Sequence, residues 1–253
     1  MATSKLIARM LDGASVSLSF PIAVSNQNFT SFIELETPNA VRELAASDIG
    51  FGRWSAAELG IYSFDEEYAL EVGRLLIGAA LTDGMTSDSE WLQRIAVWEG
   101  SAFSMKTTQI GGDPAALIAF FEQLTIDEGD DGVVVSPMST DVNVVRTGWH
   151  GPQLAITLSE FGIIHVRELT PDLERDLPDV VGFPVAGGEL FHVPGERQDV
   201  LVLVGNRAYT KLYPATPSES DALAFSFEIV AEWAPAQPEE GTANPLISAR
   251  KLP

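Results

Sequence analysis

The chain has 253 residues, 45% of them hydrophobic, with 36 acidic against 15 basic side chains and a net charge of −21. A surface this acidic repels phosphate backbones and anionic lipid, so nucleic-acid and membrane partners are not expected; partners with basic patches and metal cations are favoured. There is no cysteine, which excludes disulfides, thiolate metal sites and cysteine nucleophiles.

No stretch reaches the roughly 18 apolar residues of a membrane-spanning helix. Near the start, Lys5 and Arg9 are followed by Asp12 and Gly13, which interrupt any apolar run and make a poor signal peptide. The expectation is a soluble chain made in the cytoplasm.

In chain order, residues 3–12 read as a short amphipathic helix with Leu6, Ile7, Met10 and Leu11 on one side. Too short to stand alone, it either closes its own core or docks as an arm on a neighbouring subunit. Ser15 to Phe20 alternates Val16, Leu18 and Phe20 with serines, the pattern of a half-buried strand ended by Pro21. A second strand follows over 29–36. Thr37-Pro38 offers a cap and first-turn proline for a helix to about 46, and Ser55 caps a turn over 56–59. Ser63 with Glu66 and Ser87 with Glu90 form capping boxes for helices over 64–81 and up to Glu99. Asp113-Pro114 opens a further helix whose buried stripe is Leu117, Phe120, Phe121 and Leu124.

After Asp127-Glu128-Gly129-Asp130-Asp131-Gly132 the texture turns to short strands, at 133–136, 142–147, 153–158, 162–168, 188–193, 199–204, 207–213 and 225–233. Gly205-Asn206 is a hairpin-turn signal, and Thr170-Pro171 starts a helical turn over 171–176. Residues 234–253, with four prolines and balanced charge, read as an extended tail. The expected fold class is α+β, with helices concentrated in the N-terminal half and an antiparallel β sandwich or barrel-like sheet in the C-terminal half. The expected divisions are 1–131, 132–233 packed with it as one unit, and the tail 234–253.

Motifs for chemistry are weak. Counted from Asp127, an EF-hand calcium loop would need a carboxylate at its third position and an acid at its twelfth, where this chain has Gly129 and Met138. His150, His165 and His192 match no local metal spacing, and the latter two sit inside apolar strands. No Gly-x-Ser-x-Gly is present. Glu34 and Glu36 share a strand face but lack an aromatic platform, and Gly50-Phe51-Gly52 lacks the third glycine of a nucleotide loop. No cofactor is expected.

Trp149, between Gly148 and His150-Gly151, is the strongest contact candidate, because tryptophan, tyrosine and arginine dominate interface hot spots. With it go His150, Leu6 and Met10 of the N-terminal arm, and Leu246, Ile247 and Arg250 of the tail. The reading from sequence is a non-enzymatic structural or assembly protein acting through contacts with copies of itself. A large homo-oligomer or a virion-like particle is the form such an assembly takes. Two alternatives stand: a metal-assisted hydrolase using histidines and carboxylates, and an acidic module, inhibitor or chaperone, that binds a basic partner.

Overall fold

The structure, a computed structural model, describes residues 4–21, 29–81, 92–147, 150–158, 161–194, 200–214, 228–236 and 250–251. Among the described residues it is mostly β, with 58% in strands, 11% helical in three short helices, and two sheets. This overturns the α+β expectation, because helices are not concentrated in the N-terminal half.

Along the chain lie β1 (Ser4–Arg9), β2 (Ser15–Phe20), β3 (Phe29–Thr37), β4 (Ala40–Asp48), α1 (Phe51–Glu58), β5 (Glu66–Ala69), β6 (Arg74–Leu81), β7 (Leu92–Glu99) and β8 (Phe103–Ile110). They are followed by α2 (Ala115–Phe121), β9 (Leu124–Gly129), β10 (Gly132–Pro137), β11 (Asn143–Val144), β12 (Gln153–Leu158), β13 (Gly162–Glu168), α3 (Pro171–Arg175) and β14 (Phe183–Val185). The last are β15 (Gly188–Val193), β16 (Val200–Gly205), β17 (Ala208–Pro214), β18 (Val230–Ala234) and β19 (Arg250–Lys251).

Contacts divide the chain into two compact units, one of residues 1–33 with 145–237, the other of 34–144 with 238–253. The division does not fall at the acidic loop. That loop is the tip of the β9–β10 hairpin, paired from Gly129↔Gly132 to Leu124↔Pro137.

In the first unit the antiparallel order is β14-β15-β16-β17-β13-β12-β3, and β1, β2 and β18 pair in a separate sheet in the order β18-β2-β1. The predicted helix over 3–12 is β1. Leu6 and Ala8 face inward while Lys5 and Ile7 face out, a period of two that lets Leu6 pair with Leu18 and Ala8 with Val16. An Asp12-Gly13 turn closes the hairpin. Gly13 takes φ +83°, and the Asp12 carboxylate accepts from the Ala14 N–H at 3.2 Å and pairs with Arg146 at 2.9 Å. β18 packs on β13 and β17, and buries Ala231 and Trp233.

In the second unit the order is β4-β8-β7-β6-β5-β19. Three predicted helices here are strands and turns. At 37–40 the Thr37 hydroxyl donates to the Ala40 carbonyl at 2.8 Å and accepts its N–H at 3.1 Å, so Thr37 caps a hairpin turn into β4 rather than a helix. The stretch 64–81 is the β5–β6 hairpin, turning at Gly73 (φ +74°), where an added Cβ would lie 2.3 Å from the Glu99 carbonyl oxygen. The stretch ending at Glu99 is β7, with Ile95, Ala96, Val97 and Trp98 buried in consecutive positions, as expected of a strand covered on both faces. The α1 helix lies on this sheet, and Ala56, Ile61, Leu76, Ile95 and Val97 form one apolar cluster. Close approach is possible because position 52 is glycine; a Cβ there would meet Val97 at 2.3 Å.

Candidate functional site

One candidate site that the described residues form is a recess on the outer face of the first unit's sheet. On β13 the residues alternate between Ile164 and Val166 in the core and Ile163, His165 and Arg167 on the outside. On β17 the odd positions Tyr209, Lys211 and Tyr213 share that outer face. Antiparallel register sets Ile163 opposite Tyr213, His165 opposite Lys211, and Arg167 opposite Tyr209. Thus the two strands bring three nitrogen-bearing side chains and two phenols to one place.

One wall is built by α3. The Thr170 hydroxyl accepts from the Leu173 N–H at 3.4 Å and Pro171 takes the first turn, as predicted for this segment. The short helix drives Leu173 into Phe191, Val202 and Tyr209, so it covers the β15–β16 side of the sheet and leaves the β13–β17 side open. Asp176, at its C-terminal cap, acts on Lys211 and Tyr209. His165, Arg167, Tyr209, Lys211 and Tyr213 enclose an open recess of about 80 Å³, with room for a group of a few heavy atoms.

The electrostatics of the recess are those of crowded cations. Burial holds the His165 imidazole below the ordinary histidine range, and Arg167 and Lys211 push it further down. Burial and then Arg167 lower the Lys211 ammonium, with Asp176 opposing. Tyr209 is raised to about 12, first by burial and then by Tyr213 and Asp176. The His165 and Tyr213 rings meet edge to face at 5.2 Å, Lys211 Nζ lies 5.9 Å from the Tyr209 ring centre, and Arg167 donates to the Gln153 side chain. An acidic group entering here would meet donors already in position.

Comparison with protein-family models, with curated proteins and with solved structures finds no match to this chain. The reading of the site therefore rests on its own geometry.

Two carboxylates of the second unit are enclosed by donors of that unit. Glu99, 7% exposed at its side chain, receives Arg53 Nη2 at 3.1 Å and Arg74 Nε at 3.0 Å, and Arg74 also reaches Glu67 at 2.9 Å. Glu128, from the acidic loop, accepts the backbone N–H groups of Ser101, Ala102 and Phe103 at 2.7–2.9 Å, together with the Ser101 hydroxyl. One acid of the loop is thus a fastener for the β7–β8 turn.

The sequence candidates fare unequally. Leu6 and Met10 are buried within the first unit, leaving neither on an outer surface. His150 is exposed at a turn, its N–H donating to the Thr147 carbonyl at 3.0 Å. Arg250 forms the short β19, paired with Ala69. Trp149, Leu246 and Ile247 lie outside the described residues. His165 and His192 do not meet: strand register places His192 on the face shared by Leu201, Leu212 and Ile164, opposite to His165. Among the described residues, no group of three or more histidines and carboxylates is placed to hold a metal. Among them, too, no helix is long and apolar enough to cross a membrane.

The recess is not legible in local sequence, because its signal is split between distant segments. The alternation His165-Val166-Arg167 and Tyr209-Thr210-Lys211-Leu212-Tyr213 does show which residues share a face. That β13 and β17 are neighbours depends on non-local pairing, which no local pattern reveals.

Proposed function

We propose that the chain is a non-enzymatic contact protein, whose cationic recess receives an acidic side chain from a protein partner. One observation carries this reading: His165, Arg167 and Lys211 converge on an opening sized for a carboxylate. A second copy of the chain is the first partner to test, since 36 acidic residues give it many groups to offer. An assembly built this way is held by specific pairs against a general repulsion, so salt acts on it in both directions: it screens the repulsion and weakens the pair. The discriminating test is sedimentation of the wild type and of the Arg167→Gln/Lys211→Met double variant across concentration. Association in the wild type that is lost in the double variant supports the reading; a monomer at every concentration removes self-association from it.

A second reading has its own support in the second unit. Trp54 and Tyr62 are 61% and 85% exposed, with the acidic Glu58 and Asp65 exposed along the same segment. Aromatic and acidic groups together suit a basic partner. Salt-sensitive retention of a basic protein that disappears on Trp54→Ala would favour this surface over the recess.

A further inference from the structure

We propose that the recess takes up its acidic group together with a proton on His165, so that it grips oxyanions more tightly as pH falls. This rests on the reading of the recess as an acid-binding site and adds how that site is controlled.

The groups that act on His165 set the sign. Arg167 lies two residues along β13, and Lys211 stands directly opposite on β17, both positive. Tyr213 packs on the imidazole edge to face, and Tyr209 is held neutral far above physiological pH. From β12 the residue opposite His165 is Ala155, which carries no charge, while Gln153 takes Arg167. Asp176 acts on Lys211 and Tyr209. An empty recess therefore keeps His165 neutral, since a third positive charge would be half-buried between two others.

An arriving oxyanion reverses that balance. It neutralises part of the field of Arg167 and Lys211, and it offers an acceptor to an imidazolium N–H. His165 then takes one proton from solvent as the anion enters. Linkage requires the converse: protonating His165 raises anion affinity by the factor by which the anion raises proton affinity. The occupant is thereby an oxyanion that stays ionised near neutrality, such as a carboxylate, and the grip strengthens as pH falls through the His165 midpoint of the occupied recess towards the lower midpoint of the empty one.

The chain holds three histidines, so ring signals of His165 can be separated by NMR from those of His150 and His192 with one substitution. Sulfate is the probe, because it does not titrate between about pH 4 and 8, so any proton taken up belongs to the protein. Chloride at matched ionic strength is the reference. The expected result is a His165 midpoint that rises by about half a unit or more with saturating sulfate, and a sulfate affinity about threefold or more tighter at low than at high pH. His165→Asn should still bind sulfate and lose this pH dependence. Saturable shifts at Lys211 and Tyr213 with an unmoved His165 midpoint would overturn the proton coupling while leaving the acid-binding reading intact. No saturable shift at any recess residue would overturn both.

Discussion

The two units treat buried charge in opposite ways. In the second, Glu99 is enclosed by Arg53 and Arg74, and Glu128 by three backbone N–H groups and a hydroxyl, so each carboxylate is completed by groups of its own unit. In the first, Arg167, Lys211 and His165 gather around an opening. A closed network stabilises the fold and has little left to offer a partner. In an open one, whose cations hold His165 away from protonation, an arriving anion relieves that repulsion. The difference separates carboxylates enclosed by their own unit from cations that line a recess, a distinction composition does not make.

Substitutions can break that contrast. The largest effect in the second unit should come from Trp98→Ala: Trp98 is fully buried, and its Nε1–H donates to the Val72 carbonyl at 2.8 Å. A loss of about 3–5 kcal/mol in urea denaturation is expected. Glu99→Gln comes next. It leaves Arg53 and Arg74 facing a neutral amide, and because both arginines are about half exposed the cost should fall near 2 kcal/mol, below that of a fully buried pair. A cost within error of zero would show that the clamp is ornamental.

Glu128→Gln should cost about 1–2 kcal/mol, as a charge-assisted acceptor for three N–H groups is weakened. Both acids also make a pH prediction. Burial raises Glu99 and Glu128, but the arginines for one and the backbone N–H groups for the other outweigh it, leaving both below the usual range. The unfolded chain then binds protons more readily than the folded one. Stability from these groups is complete above about pH 4.3 and is lost as pH falls through their lower folded values. Thermal melts of Glu99→Gln and Glu128→Gln should each lose part of that acid slope.

His165 runs the other way from a histidine gaining a carboxylate partner. Its folded value is lowered, so in the empty protein stability falls as pH drops below about 6.5, and His165→Asn should flatten that decline. Smallest of all should be Lys211→Met, within about 0.5 kcal/mol of wild type, since it removes one of several crowded cations from an open surface. A large destabilisation would move the recess into the structural class and erase the contrast.

Sequence patterns reported this molecule unevenly. The alternation of Val16, Leu18 and Phe20 against serines is unambiguous, and it is strand β2. Thr170 caps α3 with Pro171 in its first turn, as expected, whereas α2 forms after Asp113 with Pro114 itself at the N-cap and no side-chain cap. The errors share a cause. Residues 75–81 and 95–98 are near-continuous apolar runs, because β6 and β7 are buried on both faces there, and a filled pattern satisfies a helical period as easily as a strand. Gly73 and Gly78 inside the supposed helix were the available warning, each costing about 1 kcal/mol in a helix. Residues 3–12 were ambiguous because Leu6, Met10 and Leu11 fit either period, and tertiary pairing with β2 decided for the strand. In the recess, the outward set on each strand was legible, and their meeting was not.

The central claim, that this face binds an acidic group, is tested most directly by amide chemical-shift mapping with N-acetyl-aspartate amide, a probe that carries one side-chain carboxylate. The account predicts saturable shifts confined to residues 163–167 and 209–213, which vanish in Lys211→Met. Weak, unsaturable shifts scattered over the surface, or shifts that persist unchanged in Lys211→Met, would contradict it.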